Sequence, residues 1–136
     1  MSGPVAGLRA GVLYFAVVFL AGFALGTLRV LAIAPRIGEA PAVLLEAPLM
    51  LAISWLACGW VVRRLGTPAG LAARAAMGAS AFALLMLAEL AVSVLVFGRS
   101  LAAHFAGYLT SSGLIGLLAQ CSFAAIPIAR GRALGV

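Results

Sequence analysis

Residues 10 to 28 carry no charge, and an arginine stands at either end of the run, Arg9 and Arg29. At about 1.5 Å per residue, a helix of this kind measures roughly 30 Å, the thickness of the hydrocarbon core of a bilayer. Three further runs succeed it, so that spans are expected at about 10–30, 41–62, 75–98 and 107–129. Of the 136 residues, 65% are hydrophobic and 9% charged, whereas soluble domains carry about a quarter charged residues. A soluble fold of this length has nowhere to hide so much apolar surface. The pattern predicts an all-α chain, an integral membrane four-helix transmembrane bundle forming a single domain over 1–136, with lipid around it.

Between the runs lie turn-forming clusters. Ala34-Pro35-Arg36-Ile37-Gly38-Glu39-Ala40-Pro41 concentrates Pro, Gly and charge and is expected to connect the first two helices. Leu65-Gly66-Thr67-Pro68-Ala69-Gly70 is a second turn, and Ser100 to Tyr108 is expected to form an amphipathic loop or interfacial helix. Pro48 lies within the second span, where it cannot donate to the carbonyl of Leu44 and introduces a kink. Ala32-Ile33-Ala34 has the small-x-small form of a signal-peptide cleavage site, but the preceding apolar stretch exceeds the usual 7 to 15 residues, so it is kept as a span.

All nine basic residues are Arg, against Glu39, Glu46 and Glu89. The arginines stand singly or in pairs beside apolar runs, which argues for membrane topology and against nucleic-acid binding. Arg9, Arg63, Arg64, Arg74, Arg130 and Arg132 fall on one side of the expected bundle, and Arg29, Arg36 and Arg99 on the other. Arginine-rich ends tend to stay in the cytoplasm, which predicts both termini there. The absence of Lys beside abundant Ala, Gly, Leu and Arg points to a GC-rich bacterial genome, and so to a bacterial inner membrane.

Depth along each helix selects the residues that could carry chemistry. Counted from the arginine at the other end of its span, Arg29 lies at about 30 Å, Glu46 at about 26 Å and Glu89 at about 22 Å, all in the outer half of the bilayer. Arg36 and Glu39 are expected just above. An ionised group at the centre of the hydrocarbon costs about 2.5–3.5 kcal/mol on insertion scales, so such groups face the bundle interior and pair. Arg29 and Glu46, on consecutive antiparallel helices, are the expected pair. Glu89 has no evident partner; Arg29, Arg36 and a Ser or Thr are candidates. These five charged residues are the candidates for a ligand or ion pathway, and the structural alternative is a polar clasp that only holds the helices in register.

Other features are less informative. His104 is the single histidine, which excludes a bis-histidine haem built from this chain alone, and it is expected at the interfacial surface. Cys58 and Cys121 stand apart, with no cluster suited to a metal. Ser54, Ser80, Ser93 and Gln120 are expected to bond between helices. Gly7-x-x-x-Gly11 and Gly22-x-x-x-Gly26 have the spacing of close helix contacts, and Gly22 and Gly26, within a span, are taken as the packing pair, inside the bundle or between subunits. No nucleophile motif and no cofactor motif is present, so neither a catalytic residue nor a cofactor is assigned.

The segments Gly26-Thr27-Leu28-Arg29, Pro35-Arg36-Ile37-Gly38-Glu39 and Glu46-Ala47-Pro48-Leu49-Met50 resemble those of small four-span bacterial inner-membrane proteins, as do Met77-Gly78 and Phe97-Gly98-Arg99-Ser100. The resemblance implies no particular activity. Three functions therefore remain open. The first is a non-catalytic protein acting as a homo-oligomer or as an accessory subunit of a larger membrane-protein complex. The second is a small transporter or channel using the Arg/Glu cluster, and the third a lipid-modifying membrane enzyme.

Overall fold

The first helix, α1 (Gly3–Leu28), starts where Ser2 accepts a hydrogen bond from the N–H of Val5. Pro4 sits in the first turn, where a missing N–H leaves no bond unmade. The computed structural model describes residues 2–133, with side chains through Gly131; the side chain of Arg132 lies outside the described residues. Helix continues from α1 through a π turn (Arg29–Ile33) into α2 (Ala34–Ile37). Then come α3 (Glu39–Leu65), α4 (Leu71–Ala91) with its own π turn (Val92–Val96), α5 (Leu101–Ala106), a 3₁₀ turn (Gly107–Leu109) and α6 (Ser111–Ala133). Among the described residues there is no strand, and four helical stretches are long and apolar enough to span a membrane: Gly3–Ile37, Glu39–Leu65, Leu71–Val96 and Ser111–Gly131.

The connection expected over Ala34 to Pro41 is shorter than its composition suggests. Pro35 and Pro41 both fall in first turns, which tolerate proline, so only Gly38 lies outside the helices. Its φ of 93° is open to glycine at little cost, and this one residue reverses the chain. A comparable glycine, Gly98 with φ 67°, comes after the second π turn.

The four long helices pack in a ring, with α1 on α4, α4 on α6, α6 on α3 and α3 on α1. The half of the bundle that carries the start of α1 and the end of α6 is closed by small residues. A Cβ on Gly7 would overlap the carbonyl of Ala73, and one on Gly78 the carbonyl of Ala124. Gly11 presses likewise on Ser80 and Met77. Close backbone approach therefore rests on Gly7 and Gly11. Inside the bundle this corrects the expectation for Gly22 and Gly26: a Cβ on Gly22 would meet only Met50 Cε at 3.4 Å, and one on Gly26 only the Arg29 side chain of its own helix at 4.0 Å.

The same half contains the core of Ala10, Tyr14, Cys58, Val61, Met77 and Phe123. Pro127, inside α6, has no N–H for the carbonyl of Phe123 four residues earlier. The hydroxyl of Tyr14 donates to that carbonyl at 2.7 Å, across the bundle from α1, and the Tyr14 and Phe123 rings stack at 4.4 Å between centroids. Arg74 is buried at 3% exposure and donates to the carbonyls of Pro68 and Pro127, at 3.0 and 3.2 Å. Its hydrogen bonds thus tie the α3–α4 turn to the end of α6. Arg130 lies over the Trp55 ring at 4.9 Å, in space that Gly59 leaves clear. Outward-facing positions such as Leu20, Leu31, Leu56, Leu87, Leu95 and Leu118 are all more than two-thirds exposed or close to it, a continuous apolar surface that water disfavours.

Candidate functional site

Past Tyr14 and Phe123 the helices no longer fill the space between them, and a cavity of about 680 Å³ occupies the other half of the bundle. Small residues make the room. Gly22 and Gly26 on α1 and Gly113 and Gly116 on α6 line it, and a Cβ on Gly116 would meet nothing within 4 Å. Phe19, Met50, Leu51, Leu85 and Phe123 form the apolar wall. The cavity reaches the molecular surface, since Phe23, Thr27, Val30 and Phe97 line it and are also exposed.

Its polar end is built from the two π turns and the helices facing them. Arg29 opens the first π turn, and its Nη1 donates to Glu46 Oε2 at 2.6 Å, with side chains 25% and 15% exposed. The expected pair therefore forms. Arg29 Nε also lies 3.4 Å from Glu39 Oε1, close enough for an ion pair although it makes no hydrogen bond there. Arg29 thus stands between two carboxylates. Arg36 is exposed, makes no ion pair among the described residues and does not line the cavity, so it leaves the cluster in which it was expected.

Glu89, one turn before the second π turn, finds partners that the sequence did not disclose. The Tyr108 hydroxyl donates to its Oε2 at 3.0 Å, and the Gln120 amide donates to its Oε1. Tyr108 is also 3.3 Å from His104 Nε2, with the two rings edge to face. His104 is therefore a buried member of the cavity wall, 8% exposed, and not the surface residue expected. Its spacing of four from Tyr108, one helical turn, is the signal that would have joined them. Burial, and after it the Glu89 carboxylate alongside, pushes the Tyr108 phenol up to about 12, so it remains a donor. Arg99 lines the mouth and bonds the carbonyl of Ala103 at 2.8 Å.

Three buried polar atoms of the wall have no hydrogen-bond partner: Gln120 Oε1 and Ser93 Oγ at the Glu89 side, and Arg29 Nε, which has only the longer ion-pair contact to Glu39. Cys58 and Cys121 are free thiols. Among the described residues no group of three or more His, Cys, Asp or Glu side chains is placed to hold a metal ion. Comparison of the chain with protein families, curated proteins and solved structures finds no match. The geometry of the cavity is thus what bears on function.

Proposed function

We propose that this chain spans a membrane four times and is a non-catalytic binding protein of transporter type, which takes a small amphiphilic molecule into the cavity. The observation that carries the proposal is the chamber itself: about 680 Å³, mostly apolar, with charged groups gathered at one end. That volume lies within the roughly 300–1,000 Å³ range of small-molecule sites, which combine an apolar lining with a few placed polar groups. A purely structural accessory subunit accounts for the Arg29–Glu46 pair. It gives no reason to leave the space beside the pair unfilled, since unfilled space forgoes packing energy. The arginine distribution supports both termini in the cytoplasm, and the chamber then opens on the outer side.

The test uses octanol as a neutral amphiphilic probe of the purified protein in lipid nanodiscs, with empty nanodiscs as background. Saturable binding at one site is expected. Gly116→Phe, which projects a ring into open space, abolishes that binding without unfolding the protein. Binding that is absent from the wild type, or equal in wild type and Gly116→Phe, overturns the proposal.

A further inference from the structure

The polar end of the chamber is short of hydrogen-bond donors and of positive charge at one place, and we infer from this that its ligand is a primary ammonium compound whose cationic head is held at Glu89. The inference rests on the proposal that the chamber binds a small molecule.

A carboxylate has about four acceptor positions, and at Glu89 two are taken, by the Tyr108 hydroxyl and the Gln120 amide. Both donors are neutral. At the chamber, Arg29 forms ion pairs with Glu39 and Glu46. Arg99 turns to the carbonyl of Ala103, and Arg74 is bound to carbonyls in the closed half of the bundle. Glu89 is thus the carboxylate of the chamber without a salt bridge. Nearby, Gln120 Oε1 is an acceptor with no donor, and Ser93 Oγ is unpaired. An ammonium head brings three N–H donors and one positive charge, which is what this wall lacks, and its hydrogen bonds to a carboxylate are of the strong charge-assisted kind.

The rest of the chamber agrees with a cation on an apolar body. Phe19, Phe23, Phe97 and Phe123 line it, and aromatic faces attract an ammonium group as well as hydrocarbon. An anionic head fits less well. The one guanidinium deep in the wall, Arg29, is already held at 2.6 Å by Glu46, whose charge would repel a second carboxylate.

Three probes with one tail separate the alternatives: octylamine, octanol and octanoate, each titrated onto the wild-type protein in nanodiscs of zwitterionic lipid. Octylamine is expected to bind at least about tenfold more tightly than octanol, and octanoate more weakly than octanol. Glu89→Gln should bring octylamine to the affinity that octanol has on the same variant. Octanol or octanoate binding as tightly as octylamine overturns the ammonium assignment and leaves the chamber standing. Binding of none of the three overturns the chamber together with the inference. Should Glu89→Gln fail to insert, the order of the three probes on the wild type still decides. A preference for octylamine that survives in a folded Glu89→Gln protein removes Glu89 from the role.

Discussion

The two halves of the bundle are built from the same helices on different principles. In the half with the start of α1 and the end of α6, glycine backs directly onto carbonyl, Tyr14 reaches across to the acceptor that Pro127 frees, and Arg74 is committed to backbone oxygens. In the other half Gly22, Gly26 and Gly116 face the cavity with no second backbone against them, and Arg29, Glu39, Glu46 and Glu89 are joined in networks around it. Contact by shape holds the first half and contact by charge the second. A glycine in a helix therefore says little by itself; what it does depends on whether another backbone arrives opposite it.

The largest effect is expected where charge does the holding. Arg29→Leu leaves Glu46, 15% exposed, without its cation and should cost about 3–5 kcal/mol, read from denaturant unfolding in micelles. Adding Glu46→Leu to it should recover most of the loss, because the pair is removed together. A cost below about 1 kcal/mol for the single change, as for a surface pair, would mean that the open half is held by something else.

Glycine substitutions probe the contrast directly. Gly78→Ala drives a Cβ into the Ala124 carbonyl and should destabilise by about 1–3 kcal/mol, the range for overpacking. Gly22→Ala, which meets only the flexible end of Met50, should stay within about 0.5 kcal/mol of wild type. Equal costs at the two positions would erase the distinction between the halves.

The smallest effect concerns alkaline pH. The Tyr108 phenol goes from 10.0 to about 12 on folding, so the folded protein holds this proton more tightly than the unfolded chain does. Its contribution to stability is complete below pH 10.0 and is lost as pH rises toward about 12. Tyr108→Phe should flatten the fall of the thermal midpoint across that window. An unchanged alkaline profile would show that the folded protein does not hold the Tyr108 proton more tightly than the unfolded chain does.

Much of this was legible in the sequence, for physical reasons. Runs between arginines that hold at most one charge mark the four long helices because charge is the feature hydrocarbon tolerates least. Depth along those helices brought Arg29 to Glu46, since a tight connection fixes the register of consecutive helices. The Glu89 network could not be found that way. Tyr108 reaches it from a short helix and 3₁₀ turn folded back over the mouth, and no periodicity fixes where such a segment lies. The glycines misled for a related reason: Gly7-x-x-x-Gly11 and Gly22-x-x-x-Gly26 share one spacing, and only the neighbouring helix distinguishes them.

Both helices that run toward the open end finish in a π turn, Arg29–Ile33 and Val92–Val96, with Arg29 at the start of one and Glu89 just before the other. A π turn carries one residue more than the α turn it replaces. Relaxing either to regular α-helix would twist the chain beyond it by about 100°, the step of one residue. For the first turn, that rotation would swing Glu39 relative to Arg29 while everything beneath stayed still. At the lip of the chamber, each π turn thus sets the rotation of the chain beyond it by the step of a single residue.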